Sequence, residues 1–175
     1  DPLGVEARAG LATISGLSRE GVELALDECL EVEATDAELA RLVARCGDAP
    51  RTWVVASANV CTAAARAIAL AVATSRRVHV KPSRRDPVLA EILVRELAAD
   101  ATFAGFGGEI SLAASLDPTT GDEVHAYGRD ETIAAIAMSI PAGVVLRGHG
   151  TGFGVAIVEG DADVPRAAAA IARDV

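Results

Sequence analysis

Apolar residues recur at helical spacing in the first part of the chain. Between residues 18 and 47 they fall at Val22, Leu26 and Leu30, and again at Leu39, Leu42 and Val43. Steps of three or four residues place such side chains on one face of an amphipathic helix. The spacing therefore predicts two helices that are interrupted near residues 34–36. Asp36 is expected to cap the second helix, and residues 47–50 to end it.

From residue 51 onward, short β-branched stretches alternate with alanine-rich ones. The predicted strands are residues 52–58, 78–81, 101–106, 123–128, 143–148 and 154–160. The predicted helices are residues 62–74, 86–100, 130–138 and 163–175, because their alanine content and length separate them from strands. Asp86 and Pro87 are expected at the cap and first turn of the second of these helices. The stretch "ISLAASL" fits either structure.

Strands that alternate with helices at this spacing imply right-handed crossovers and a parallel sheet. The predicted fold class is α/β, a doubly wound, Rossmann-like sheet with N-terminal helices. Residues 1–50 would form the helical segment and residues 51–175 the sheet domain. Ligands of such sheets bind beyond the carboxyl ends of the strands. The residues that follow predicted strands are therefore candidates for function: Asn59, Lys81-Pro82-Ser83, Gly128 and His149-Gly150.

Composition narrows the class of protein. Of 175 residues, 51% are apolar and only 3% aromatic, so small aliphatic residues must build the core. No apolar run approaches the roughly 18 residues of a membrane span and no secretory signal opens the chain, which predicts a cytoplasmic protein without a membrane span. The net charge of -9 argues against nucleic acid as a partner. Cys29, Cys46 and Cys61 form no CxxC pair, so no metal and no disulfide framework are predicted.

A basic stretch stands out in this acidic chain. Residues 76–87, "RRVHVKPSRRDP", carry five cationic side chains. Lys81 ends a predicted strand and Pro82 turns the chain, which concentrates donors and positive charge where a phosphate or ribose could be held. The alternative is a solvated basic loop. The first strand is not followed by GxGxxG, so the glycine fingerprint of a standard dinucleotide site is not supported.

Four segments resemble motifs of the aldehyde dehydrogenase superfamily. They are "ASANVCTAAARAIALAVATSRRVHVKPSRRDP", "EVHAYGRDETIAAI", "LRGHGTGFGVAIV" and the early "GLSREGVELAL". In this order they most resemble the acyl-CoA reductase branch, which includes the fatty acid reductase of bacterial luminescence. The resemblance spans nearly the whole chain. It implies that the sheet domain is a cofactor-binding domain of the aldehyde dehydrogenase type.

The resemblance also implies how the cofactor is held. The lysine after the second strand, here Lys81, grips the adenosine ribose, with Ser83 beside it. Relatives that prefer the unphosphorylated cofactor often have a glutamate three residues after this lysine, and this chain has Arg84. A guanidinium cannot accept from a ribose hydroxyl but can pair with a 2'-phosphate. The expected cofactor is therefore NADP, as NADPH.

Two residues acquire catalytic roles through the resemblance. Asn59 matches the asparagine whose amide stabilises an oxyanion, although an Asn that caps the following helix is the alternative. His149 falls where classical relatives carry a glutamate base. A neutral imidazole there could donate or relay a proton, or it could simply be bonded to backbone in a glycine-rich turn. His79 and His125, inside strands, are expected to be structural.

The turn after the predicted strand 123–128 is expected to face the cofactor. Gly128 matches the glycine that opens a turn toward the pyrophosphate. Relatives usually have Ser at the next position, where this chain has Arg129. The arginine either strengthens the pyrophosphate contact or points away from it.

The expected function is the cofactor-binding portion of an NADP-dependent acyl-CoA reductase that converts an acyl thioester to an aldehyde through a cysteine acyl-enzyme. The family's cysteine lies in a catalytic domain beyond residue 175, so these residues alone are expected to be inactive. Cys61 is not expected to be the nucleophile, because relatives have an apolar residue there. The alternatives are a regulatory nucleotide-binding module, or a semialdehyde or glutamyl-phosphate reductase. Acyl chain length and oligomeric state, including a homo-oligomer, stay open.

Overall fold

The computed structural model describes residues 2–30, 35–44, 49–58, 61–152, 155–160 and 162–172. The helices of this part are α1 (Pro2–Ile14), α2 (Arg19–Asp27), α3 (Asp36–Val43), α4 (Ala63–Thr74), α5 (Val88–Ala99), α6 (Ala101–Gly105), α7 (Asp130–Ser139) and α8 (Val164–Ile171). The strands are β1 (Arg51–Val55), β2 (Arg77–Lys81), β3 (Glu109–Leu112), β4 (Glu123–Tyr127) and β5 (Val145–His149). None of the helices described here is long and apolar enough to cross a bilayer.

The strands form one parallel sheet in the order β3-β2-β1-β4-β5. The chain moves outward from β1 to β3 and then returns to the other side of β1 for β4 and β5, so the order reverses at β1. This is the doubly wound arrangement that the alternation of strands and helices predicts, and the α/β, Rossmann-like fold class is confirmed. The point of reversal opens a crevice at the carboxyl ends of β1 and β4, where such sheets bind ligands.

Helices cover different halves of the two sheet faces. On one face α4 and α5 pack on β1, β2 and β3 through small and branched residues, among them Val54, Val80 and Ile68. On the other face α7 packs on β4 and β5 around Trp53 and Val124. The alanines of α4 allow the helix to lie close to the strands, which explains how a chain with few aromatic residues builds a close-packed core.

The N-terminal helices agree with the predicted pattern in part. Ser18 caps α2 by accepting from the Gly21 N–H, and α3 follows as a separate helix, as predicted. The cap of α3 is Thr35 rather than Asp36, because Thr35 and Glu38 form a reciprocal capping box. Helix α1 is not anticipated by the sequence analysis. It packs against α2 and α5, with Ala7 and Leu11 buried.

Three local predictions are wrong. Residues 101–105 form helix α6, where a strand over 101–106 was predicted, because Asp100 caps the helix by accepting from the Phe103 N–H at 2.7 Å. Asp86 is not the cap of α5, since the Pro87 carbonyl accepts the first helical bond, from the Glu91 N–H. Residues 155–160 form no strand, and no described backbone hydrogen bond joins 155–158 to another segment.

Asp122 ties the amino ends of β1 and β4 together. Its Oδ2 accepts from Arg51 Nε at 2.9 Å, from the Trp53 indole N–H at 3.1 Å and from the Thr119 backbone N–H at 2.8 Å. Burial alone would raise the pKa of Asp122, but these hydrogen bonds outweigh it and hold the pKa below its ordinary value. The carboxylate therefore satisfies a buried indole and a cation at once, on the edge of the sheet opposite the candidate site.

Candidate cofactor and catalytic site

The carboxyl ends of the central strands meet at one edge of the sheet. Beyond the regular strands, the Ala56 N–H donates to the Lys81 carbonyl at 3.0 Å, and the Gly128 N–H donates to the His149 carbonyl at 3.2 Å. The turns after β1 and β2 are thus joined, as are those after β4 and β5. The structure places Lys81, Gly128 and His149 on the edge that their positions after strands predict.

The Lys81 turn borders a cavity of about 440 Å³. Its lining consists of Lys81, Pro82, Ser83, Arg84, Pro87, Glu91, Ala113 and Ala114. Lys81 and Ser83 are half-buried, whereas Arg84 and Arg85 are exposed. The Ser83 hydroxyl accepts from the Arg85 N–H at 3.2 Å, which shapes the turn. Three of the predicted cofactor residues, Lys81, Ser83 and Arg84, are therefore brought together around one cavity.

The cationic groups at this cavity are not used to hold the fold. Within the described residues, no hydrogen bond or ion pair involves the Lys81 ammonium or the Arg84 guanidinium. Other arginines do have such partners, for example Arg8 with Glu23 and Arg95 with Glu6. Glu91 on α5 also lines the cavity and is the one acidic residue among its lining residues. The cavity can thus offer two cations to an anion and one carboxylate to a hydroxyl.

A larger cavity, of about 640 Å³, lies elsewhere and does not suit this chemistry. It is lined by residues at the amino ends of β1 and β2, including Pro50, Arg76 and Arg77, together with Phe103 and Phe106. Ligands of parallel sheets bind at the opposite edge. The carboxyl edge is therefore the better candidate site, despite the smaller volume of the cavity there.

Two helices begin at the carboxyl edge of the sheet, and the side chains of their first turns differ in charge. Helix α4 starts with three alanines, its N-cap residue Thr62 makes no side-chain cap hydrogen bond, and its first turn has no acidic residue that would repel an anion. Helix α7 starts with Asp130 and Glu131, which disfavour an anion at its start. Arg129 is the exposed N-cap residue of α7, and its side chain makes no cap hydrogen bond. The start of α4 is therefore electrostatically the better place for a pyrophosphate.

Asn59 lies outside the described residues, between β1 and α4. The N-cap position of α4 belongs to Thr62. The role of Asn59 stays a prediction. Gly128 is described, and it has a φ of +156°, a conformation that residues with a side chain rarely adopt.

His149 ends β5 inside a cluster of polar side chains. Its ring stacks face to face on Tyr127, with centroids 4.2 Å apart and planes inclined by 6°. Its Nε2 lies 3.4 Å from Nδ1 of His125, whose Nε2 lies 2.7 Å from Glu123 Oε1. Arg147 Nε donates to the same Glu123 oxygen at 2.5 Å. Glu123 and His125 are almost fully buried, whereas His149 is exposed to solvent.

The sequence analysis expected His125 to be structural and did not anticipate its contacts with Glu123 and His149. A signal for it was present in the sequence. Glu123, His125 and Tyr127 alternate along β4, so they share a sheet face, and Arg147 and His149 occupy the matching positions of β5. Polar residues repeated at this period in a strand near the middle of a sheet are unusual and indicate a shared network.

Charges in this cluster shift two pKa values. Burial would raise the pKa of Glu123, but hydrogen bonds from Arg147 and His125 outweigh it, so the pKa lies below its ordinary value. Partial burial, followed by the neighbouring His125 and Arg147, lowers the pKa of His149. At neutral pH the cluster therefore holds an ionised carboxylate and a neutral His149. In the described ranges, no three His, Cys, Asp or Glu side chains have the geometry of a metal site.

We expect the free energy of unfolding to fall as the pH is lowered from 6 to 3. Glu123 and Asp122 have pKa values below their ordinary values in the folded chain. The unfolded chain therefore takes up protons first, and the stability these carboxylates contribute is present above about pH 5 and lost as the pH falls through the folded-state pKa. Urea unfolding at several pH values measures the slope. Glu123→Gln should reduce it, and an unchanged slope would contradict the assignment.

Two glycines beside His149 allow α7 to dock on β5. A Cβ at Gly148 would lie 2.7 Å from Ile133 Cγ2, and one at Gly150 would lie 2.1 Å from Asp130 Oδ1. Asp130 also accepts from the Thr151 N–H at 2.9 Å. The "GHG" pattern therefore has a packing reason that is independent of any catalytic role of the histidine between them.

The described cysteines do not have the surroundings of a nucleophile. Burial and the nearby Asp86 raise the pKa of the Cys61 thiol, so little thiolate forms at neutral pH. Cys29 is exposed and lies just after α2, in the N-terminal helical region. Cys46 lies outside the described residues. The expectation that Cys61 is not the nucleophile therefore has electrostatic support.

The doubly wound parallel sheet, with a cationic cavity beyond β2 and a histidine at the end of β5, defines an α/β protein of the Rossmann-like class. A comparison with family models matches residues 45–175 to the family described as Acyl-CoA reductase (LuxC). Because the match covers most of the chain, the protein belongs to this acyl-CoA reductase family. No curated protein and no solved structure gives a significant match.

Proposed function

We propose that this chain binds NADPH for the reduction of an acyl thioester to an aldehyde. Because the chain belongs to the acyl-CoA reductase family, an acyl substrate is expected. The resemblance to aldehyde dehydrogenases supports reduction through a cysteine acyl-enzyme. When bound, NADPH supplies the hydride that reduces the acyl group. The residues of this chain hold the cofactor and provide polar groups near the reacting carbonyl.

The observation that carries the proposal is the cavity at the end of β2. Lys81 and Arg84 border it, and neither is engaged by another side chain in the part of the chain that is described. A ribose held by Lys81 would have its 2'-phosphate within the range of a flexible arginine three residues later. Ser83 adds a hydroxyl to the same lining. Arg84 can form two parallel hydrogen bonds to a phosphate, and in this site it would select the phosphorylated cofactor.

The remaining groups are assigned to the pyrophosphate and to the carbonyl. Gly128 and Arg129 form the turn before α7, and the pyrophosphate would lie between this turn and the start of α4. Asn59 would donate its amide to the carbonyl oxygen as negative charge develops on it. His149, at the end of β5, would exchange a proton on the same edge of the sheet. Water activation is not required, because the thioester is reduced and not hydrolysed.

Arg84→Glu is expected to weaken NADPH binding by about 10- to 100-fold and to leave NADH binding equal or stronger. The substitution removes charge-assisted hydrogen bonds to the 2'-phosphate, each worth about 1.5–3 kcal/mol, and adds repulsion. Isothermal titration calorimetry of the chain with NADPH, and separately with NADH, measures both affinities.

Two further variants serve as controls for the Arg84→Glu variant. Arg85→Glu changes the charge equally but alters a side chain outside the cavity lining, so it should have a smaller effect. Glu91→Gln should alter NADH binding more than Arg84→Glu does if Glu91 accepts from a ribose 2'-hydroxyl. A chain that already binds NADH more tightly than NADPH, and loses NADH with Glu91→Gln, would show that the assignment to NADP is wrong.

A further inference from the structure

The two histidines of the polar cluster meet edge to edge. Their ring centroids are 5.6 Å apart and the planes are inclined by only 14°, while the facing nitrogens are 3.4 Å apart. The separation of the centroids is close to the sum of the nitrogen separation and the two ring radii. Both nitrogens therefore lie almost on the line between the centroids, and that line lies in both ring planes. This is the geometry of a hydrogen bond, although a long one, and not of face-to-face stacking.

Glu123 determines which nitrogen of His125 carries a proton. An ionised carboxylate only accepts hydrogen bonds, and Glu123 Oε1 lies 2.7 Å from His125 Nε2. His125 Nε2 must therefore be the protonated nitrogen. In a neutral His125 the other nitrogen, Nδ1, then has a lone pair and can only accept.

The same pairing of donor and acceptor gives the position of the proton on His149. When His125 is neutral its Nδ1 accepts, and the facing nitrogen of His149, Nε2, is then the donor. In a neutral His149 this leaves Nδ1 without a proton. Tyr127, stacked on the ring, restricts its rotation, so the two nitrogens of His149 are not readily exchanged.

We infer that Glu123 and His125 are positioning residues that hold His149 as its Nε2–H tautomer, with Nδ1 as a hydrogen-bond acceptor. Within the proposed function, on which this role rests, His149 would take a proton at Nδ1, for example from a thiol, and would not donate one to the forming aldehyde. The Nε2 proton can then pass to His125 Nδ1, which leaves His149 neutral. The resulting His125 cation lies beside the Glu123 carboxylate, which stabilises it.

Charged groups of two strands contact this pair. Glu123 lies on β4 and Arg147 on β5, whereas Asp130 of α7 lies beside Gly150 on the opposite face of β5. Arg147 shares the Glu123 oxygen with His125 and keeps it ionised. Asp130 accepts from the Thr151 N–H and is engaged there. The ionised Glu123 can only accept hydrogen bonds, so it cannot donate a proton to His125 Nδ1.

Nitrogen NMR of the imidazole rings tests this inference without cofactor or turnover. Long-range proton–nitrogen spectra distinguish the protonated from the bare nitrogen in each ring, and the chain has only three histidines to assign. At pH 7.5 we expect one dominant Nε2–H form of His149. His125→Leu, which removes the acceptor, should give a mixture of tautomers. His125→Asn, whose amide oxygen can replace Nδ1 as acceptor, should retain the Nε2–H form.

His79 provides an internal control, because its Nδ1 contacts Ser111 on the other face of the sheet and its signals should not change with either variant. A wild-type spectrum with His149 as the Nδ1–H tautomer would overturn the inference, even if the leucine variant failed to fold. An unchanged His149 tautomer in folded His125→Leu would overturn it as well. Loss of NADPH selectivity in the Arg84 experiment would leave these spectra unaffected, so the two proposals can fail separately.

Discussion

Replacing Asp122 by alanine is expected to lower the free energy of unfolding by about 3 kcal/mol. The substitution leaves the buried Trp53 indole N–H without its acceptor and the Arg51 guanidinium without its carboxylate. An unsatisfied buried donor costs about 1–3 kcal/mol, and breaking a largely buried ion pair adds to this. Arg51 is partly exposed and can turn to solvent, so we expect a value below the full sum. Urea unfolding monitored by Trp53 fluorescence measures the change.

Two variants separate the hydrogen bonds of Asp122 from its charge. Asp122→Asn keeps an oxygen for the indole and should lose less than half of the alanine effect. Asp117→Ala removes an exposed carboxylate from the preceding loop and should change stability by less than about 0.5 kcal/mol. Equal losses for the Asp122 and Asp117 alanine variants would contradict the role of Asp122 as the link between β1 and β4.

If the proposed function holds, replacing Asn59 by alanine in the active enzyme is expected to lower the turnover of acyl-CoA by about 100- to 1,000-fold. This is the effect of losing one donor to an oxyanion. The stability of the protein should change little, because the N-cap position of α4 belongs to Thr62. Aldehyde formation with NADPH and thermal unfolding, measured on the same variant, separate a catalytic from a structural role.

Thr62→Ala is the matched control for the start of α4. The substitution alters the N-cap residue of α4 without removing a side-chain amide. The turnover of acyl-CoA by this variant should therefore stay near that of the wild type. If Asn59→Ala lost stability by about 1 kcal/mol and kept its rate, Asn59 would be a helix-capping residue and not an oxyanion donor.

Much of the fold could be predicted from the sequence because the responsible interactions are local. The apolar positions of α2 and the alanines of α4 lie at helical spacing, and the β-branched residues of β1 are characteristic of a strand. Once strands and helices alternate, handedness leaves few topologies. Lys81 and His149 could likewise be placed at one edge of the sheet, because parallel strands end together.

The local errors also have a physical reason. Residues 155–158 are a continuous apolar run with three β-branched residues, which is typical of a strand. A strand also requires a hydrogen-bonded neighbour, and Val155 and Ile157 are 72% and 88% exposed. Helix α1 is the opposite case, because it forms although the sequence pattern did not predict it. Its burial comes from contact with α5, including the ion pair between Glu6 and Arg95, which lie 89 residues apart in sequence.

The class of fold, the edge of the sheet with the candidate site, and the cationic turn of Lys81 and Arg84 could be predicted from the sequence alone. The sequence also supported the assignment to the acyl-CoA reductase family. The contacts among Glu123, His125 and His149, and the hydrogen bonds that Asp122 accepts from Arg51 and Trp53, are seen only in the folded chain. These contacts depend on the register between β1, β4 and β5, which long-range pairing sets. A pattern along one strand shows which face a side chain occupies, but not which side chain of the neighbouring strand lies beside it.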